Sequence, residues 1–388
     1  MFQLDVLPTI PSVPWNEAYK TRLQALIAGD CRVAFYYGKL PDYGTFRYRV
    51  YNMVMSLRSL GKGISASFFY GNELENLADI FNNADIIVVC RTKYCNRLGH
   101  AITVARNKGK QVVFDIDDLL FDSRYIHLAL KTTDADYTRE DIWQNWYGDC
   151  ARFSATLSLC DRVITTNTYL ADKIRSYSGK EVSVMPNYLN EQQLMVSRKI
   201  YQKKSSSFFL QSKPVYLGYF SGSSTHNLDF CIITDALVAL FEKYKNLKLR
   251  IVGLLDLDKK LKSYSDRIEL HTIQDYLNLQ RSIGEVEINL IPLQVNAFNN
   301  CKSELKYFEA GITGTISIAS PTSVFTQVIR NGENGFLAKS YEWYEKIDRV
   351  LTNMDDYPEL AKKAYVHTEE NYSWTSLTGL IENTYLVE

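Results

Sequence analysis

No sign of charge dominates this sequence: 44 lysines and arginines stand against 44 aspartates and glutamates in 388 residues. Without a net field, a general electrostatic grip on nucleic acid or anionic lipid is not encoded, and any anion must be held by a few local groups. No run reaches the roughly 18 apolar residues of a membrane span, and the opening stretch MFQLDVLPTIPSVPW lacks a basic segment leading into an apolar one. The seven cysteines (Cys31, Cys90, Cys95, Cys150, Cys160, Cys231 and Cys301) include no CxxC pair, and the spacing of Cys90, Cys95 and His100 fits no zinc signature. These absences read as reduced thiols in a cytoplasmic protein, with contact at the inner face of a membrane left open and no metal expected. Neither a Walker loop nor GxGxxG occurs.

What is present is a regular alternation. Apolar runs recur in the first half: RVAFYY (Arg32–Tyr37), SASFF (Ser65–Phe69), DIIVVC (Asp85–Cys90), QVVFDI (Gln111–Ile116), RVITTN (Arg162–Asn167) and VSVMP (Val182–Pro186). Helix-length segments separate them. Strands apolar throughout, alternating with helices, predict a parallel sheet covered on both faces. After a polar interval containing SRKIYQKKSSS the alternation restarts with VYLGYF, LKLRIVG, RIELHTI, EINLIPL, TISIAS and GFLA. At this length two domains are the default. The expectation is two doubly wound Rossmann-like α/β domains facing a cleft. Residues 1–190 and 213–370 form the domains, residues 191–212 a linker about which they close, and residues 371–388 a C-terminal helix that would cross back to the first domain.

Ligands of open α/β sheets bind beyond the carboxyl ends of the strands, so the loops there carry the candidate chemistry. In the second domain FSGSSTHN, with Gly222, Ser223 and His226, leads from a strand into a helix, a candidate cradle for a diphosphate as much as an ordinary capped turn. CKSELKYFEAGITG reads as a helix. At about 100° per residue, Lys302, Lys306 and Glu309 share one stripe, and Leu305, Phe308 and Ile312 another. Lysines suit phosphate oxygens and a carboxylate suits sugar hydroxyls. In the first domain GKLPDYGTFRYR presents Tyr43, Arg47 and Arg49 to a ligand bearing hydroxyls or anions, while FDIDDLLF ends a strand with three acids. Close carboxylates repel one another, so a site at Asp117 and Asp118 is the expectation, with neither given an evident basic partner.

The run EAGITGTISIAS followed by VIRNGENGFLA resembles the donor-binding block of GT-B nucleotide-sugar glycosyltransferases, in particular glycosyltransferase family 4, through Glu309, Ala310, Gly314, Ala319, Ser320, Gly332, Asn334 and Gly335. The resemblance implies sugar transfer from a nucleotide-diphosphate donor to a hydroxyl of a glycan or glycolipid acceptor, in surface polysaccharide assembly, without a cofactor. It implies that Glu309 binds the donor ribose, with the diphosphate between it and the loop carrying Gly222 and Ser223. On that layout His226, Lys302 and Lys306 are expected on the donor, and the loops of the first domain put Tyr43, Arg47 and Arg49 on the acceptor and Asp117 or Asp118 at the reacting hydroxyl. A hexosyltransferase of the retaining type is the form implied, with inversion, in which Asp117 or Asp118 would be the general base, left open by the sequence. Two departures accompany it: Cys301 stands where the family carries a further glutamate, and SSTHN where it carries a basic pair. These leave open an inactive homologue serving as a binding partner; an epimerase or phosphorylase on the same architecture is a further alternative.

Overall fold

The computed structural model describes residues 2, 4, 13–132, 136–209, 214–222 and 227–386. In the first domain β1 (Cys31–Tyr37), β2 (Ile64–Tyr70), β3 (Ile86–Cys90), β4 (Gln111–Asp115), β5 (Arg162–Thr165) and β6 (Val182–Val184) form one parallel sheet in the order β2-β1-β3-β4-β5-β6. Each expected run supplies one strand. Val33, Phe35, Val88, Val113 and Ile164 face one buried layer, and Ala34, Tyr36, Val89, Val112 and Phe114 the other, which is why these strands read as unbroken apolar stretches. The second domain repeats the plan with β7 (Val215–Ser221), β8 (Leu247–Gly253), β9 (Ile268–His271), β10 (Ile288–Ile291), β11 (Ile316–Ala319) and β12 (Phe336–Leu337), in the order β12-β11-β10-β7-β8-β9. The strand order reverses between β1 and β3 in one sheet and between β7 and β10 in the other. At such points the flanking loops part and leave a crevice.

Within the stretch expected as a linker, residues 191–206 are helical. Asn190 caps a helix, Glu191–Ser206, by accepting from the Gln193 N–H at 2.9 Å. The helix buries Gln193, Leu194, Ser197, Ile200 and Lys204 against the second domain. That stripe is mostly polar, so its three-to-four-residue period carries little hydrophobic contrast; Ser197 and Lys204 find partners in the second domain, while the Gln193 amide is buried without one. The Ser197 hydroxyl accepts from Gln280 at 2.7 Å, and Lys204 donates to the Gly314 carbonyl and the Thr315 hydroxyl at 3.0 and 3.1 Å.

The chain returns to the first domain at its end. Leu189 exchanges backbone hydrogen bonds with Tyr372 and Trp374 at 2.8 and 3.1 Å, and the helix Thr378–Tyr385 lays Ile381 and Tyr385 into the first domain's core, with the Tyr385 ring 5.4 Å from that of Phe35. Two chain crossings, side by side, therefore join the domains.

Candidate active site

The loop after β1 is shaped by one carboxylate. Asp42 accepts from the Tyr37 hydroxyl at 2.6 Å, from the Gly44 N–H at 2.8 Å and from the Phe46 N–H at 3.2 Å. This turn delivers Tyr43, Gly44 and Thr45 to the cleft and opens into a π turn, Arg47–Tyr51, closed by the Asn52 N–H on the Arg47 carbonyl. The wide turn sends neighbouring side chains in different directions. Arg47 and Tyr48 reach the second domain. Arg49 points into the first and is fully buried: it binds both oxygens of Asp115 at 2.9 and 2.8 Å and donates to the Met185 carbonyl at 2.6 Å. Its expected role toward an acceptor is therefore corrected. Arg49 is a structural cation, and Asp115, the first of the three acids, is its counter-ion.

The other two acids do have a basic partner. Arg91, just past β3 and held at a φ of 41°, donates to Asp117 at 3.0 Å and to Asp118 at 2.9 Å, and also to the Thr45 hydroxyl at 2.8 Å. Thr45 in turn donates to Asp117 at 2.7 Å. Burial pushes the Asp118 carboxyl up; Arg91 opposes this, and the charge on Asp117 adds to it. Asp118 lines the cleft on both sides of this group. Nothing in the sequence links Arg91 to these acids, because the three meet only when β3 and β4 pair.

Across the cleft, the helix expected from Cys301 is broken. A single 3-10 turn, Asn299–Cys301, ends at an extended Lys302, and an α-helix begins only at Leu305 and runs to Gly311. Lys302 thus reaches the cleft from the break instead of from a helical stripe. Lys302 and Lys306 line the cavity with Glu309 and Gly222. Neither lysine forms an ion pair among the described residues; their ammonium groups lie 5.6 Å from the Phe298 ring centre and 5.2 Å from that of Tyr219. Burial lowers both, Lys306 to about 8, with the Lys302 charge contributing. Glu309 is 4 % exposed. Its Oε1 accepts from Arg47 Nη2 at 3.1 Å and from the Tyr48 hydroxyl at 2.5 Å. Ser223 and His226 lie outside the described residues.

Cys301 does not face the cavity, since its thiol turns back to the Ala297 carbonyl at 3.2 Å and burial pushes its pKa up. Glu304 lines neither side of the cleft; it is buried and raised to about 7 by desolvation, which a bond to Tyr372 opposes. The cavity itself measures about 860 Å³. At its second-domain end are Ser221, Gly222, Val252, Ile273 and Gln274, and at the other are Lys39, Lys93, Trp146 and Asp149. A smaller space of about 220 Å³ adjoins it, sharing Thr45, Arg91, Asp118, Lys302 and Lys306. The larger volume is that of a small-molecule site. Tyr43 lines the larger space, its ring 6.2 Å from that of Tyr276. Among the described residues no group of three or more His, Cys, Asp or Glu side chains is arranged to hold a metal ion, and no helix is long and apolar enough to cross a membrane.

No family model and no curated protein matches the sequence. Solved structures do match the fold. HepE from Anabaena, crystallised with UDP and glucose, is 13 % identical with a TM-score of 0.61, covering 91 % of this chain and 98 % of its own. Sucrose-phosphate synthase from Thermosynechococcus elongatus is 14 % identical with a TM-score of 0.60 over the same shares. A glycosyltransferase from Rickettsia africae is 11 % identical with a TM-score of 0.62, over 92 % of this chain and 98 % of that one. The two six-stranded parallel sheets facing a cleft, closed by a C-terminal helix, are the GT-B fold.

Proposed function

We propose that the protein transfers a sugar from a nucleotide-diphosphate sugar, UDP-linked in the first instance, to a hydroxyl of a glycan or glycolipid acceptor. One observation carries the reading: two lysines without ion pairs and a glutamate enter a single cavity from one domain, opposite the Arg91–Asp118 pair of the other. Departure of a nucleoside diphosphate develops negative charge, and preorganised cations in a cavity shielded from water stabilise it most effectively. Lys302 and Lys306 are assigned that task. Lys306, lowered to about 8, recovers its full charge as the diphosphate arrives. The open oxygen of Glu309 takes the ribose hydroxyls.

Asp118 receives the acceptor hydroxyl. Because it already accepts from Arg91, its role is to orient that hydroxyl while the departing phosphate takes the proton, a course that retains the anomeric configuration. A hexose fits this reading, with the UDP and glucose held by HepE as the support for both base and sugar. The chemistry is assigned to side chains alone, so turnover should persist in EDTA. The setting we infer is the cytoplasmic face of a membrane where surface polysaccharide is built, with residues 1–190 on the acceptor side and residues 213–370 on the donor side. A thermal-shift screen against UDP-, GDP- and dTDP-sugars tests the donor, since a ligand of the native state must stabilise it. No stabilisation by any of the three would refute the proposal. Proton NMR of the first product formed distinguishes retention from inversion; an inverted product would make Asp118 the general base.

A further inference from the structure

The guanidinium of Arg47 is buried, yet one of its nitrogens has no partner. Nε donates to the Tyr43 carbonyl at 2.7 Å and Nη2 to Glu309 at 3.1 Å, and the group lies 4.0 Å from the Tyr48 ring centre and 5.0 Å from that of Tyr276. Nη1 is enclosed and makes no hydrogen bond, although Arg47 lines the large cavity. A buried N–H left unmade is costly, and native structures rarely keep one without a use. The neighbouring carboxylate is incomplete in the complementary sense: Glu309 Oε1 serves both Arg47 and Tyr48, while Oε2 makes no hydrogen bond to the described residues. One ion pair, both of whose residues line the cavity, therefore holds a cationic donor and an anionic oxygen that make no hydrogen bond to the described residues.

A ligand that completes both must carry an anionic oxygen close to a hydroxyl. A phosphorylated ribose does. We infer that Arg47, though it belongs to the first domain, binds a phosphate oxygen of the donor's diphosphate from the side opposite Lys302 and Lys306. The inference rests on the donor reading above and moves Arg47 from the acceptor, where its loop position had placed it, to the leaving group. A planar fork stacked between two tyrosines is already oriented, so little freedom is lost when it engages. The domains would then share the diphosphate, and donor binding would draw them together.

The test is calorimetric titration of UDP, with uridine followed by saturation-transfer NMR, on the wild type, Arg47→Met and Arg47→Lys. Arg47→Met keeps the stacked hydrocarbon and should weaken UDP roughly ten- to a hundredfold, the loss expected for a charge-assisted bond, with uridine unchanged. Arg47→Lys should recover part of the UDP affinity and, if the Met variant does not fold, carries the same comparison. Equal weakening of UDP and uridine would mark Arg47 as purely structural and overturn the assignment, as would unchanged UDP affinity in a folded variant. A wild type that binds none of UDP, GDP and dTDP would instead remove the donor reading itself, and this assignment with it.

Discussion

Replacing Glu309 by alanine tests the centre of the site, and the structure sets the size of two separate effects. The first is on stability. Glu309 Oε1 holds Arg47 and Tyr48 of the opposite domain, and Arg47 is 3 % exposed. Removing one member of a buried ion pair costs about 3–5 kcal/mol, because the other charge stays behind. Here Arg47 keeps the Tyr43 carbonyl and two flanking rings, which argues for the lower end. The loss falls on the contact between domains; Tyr307, Phe308 and Ala310 still anchor the helix beneath. A melting temperature lower by roughly 2–4 °C per kcal/mol is expected for domains of this size. The second effect is on the donor. Each charge-assisted bond from a ribose hydroxyl to Oε2 contributes about 1.5–3 kcal/mol, so UDP should bind about tenfold more weakly, or worse, for each bond lost. Arg47, freed of its counter-ion, becomes more available to phosphate and offsets part of this. Uridine carries no phosphate and should show the full loss. Glu309→Gln retains shape and an acceptor oxygen and should fall between. Calorimetry with UDP and uridine, alongside thermal unfolding, measures both effects. A folded Glu309→Ala protein that binds both ligands like the wild type would show the glutamate to be a mere bridge between domains, and the donor site would have to be sought elsewhere.

Asp118→Asn should lower turnover while leaving UDP affinity unchanged, as measured by product formation beside titration; equal loss of donor binding would remove Asp118 from the acceptor hydroxyl. Asp117→Asn should act more weakly, through release of Thr45 and Arg91. UDP affinity should decline as pH rises above about 8, because Lys306 is charged below that value and neutral above it, while the bound diphosphate demands its charge. Titrations between pH 6.5 and 9.5 check this, and Lys306→Met should flatten the profile; the same decline in that variant would assign it to another group. Glu304, about 4.5 when unfolded and about 7 when buried, binds its proton more tightly in the folded state, so it penalises stability progressively as pH rises from 4.5 through 7. Glu304→Gln should therefore be more stable than the wild type at pH 8 by up to about 3 kcal/mol and gain little at pH 4.5, by denaturant unfolding; equal stability at pH 8 would refute the burial argument.

The sequence by itself determined the two-sheet plan, because strands buried on both faces, such as β3 and β4, are apolar along most of their length, a constraint written into consecutive residues. It determined the neighbourhood of the site for the same reason: once the strands are known, their carboxyl ends lead to Gly222, Lys306, Glu309 and Asp118. What an individual charged side chain faces was decided only by the tertiary structure. Arg47 and Arg49 are two residues apart and alike in sequence, yet a π turn directs one to Glu309 across the cleft and the other to Asp115 inside its own domain. Arg91 became the partner of Asp117 and Asp118 because β3 pairs with β4, a contact between segments about twenty-five residues apart that no local pattern announces. The helix Glu191–Ser206 escaped notice since its buried stripe is polar, and a buried polar stripe is stable only when distant groups such as Gln280, Gly314 and Thr315 arrive to satisfy it. Apolar burial needs only an inside, whereas a charge needs a particular partner at a particular distance, and that partner is supplied by the fold.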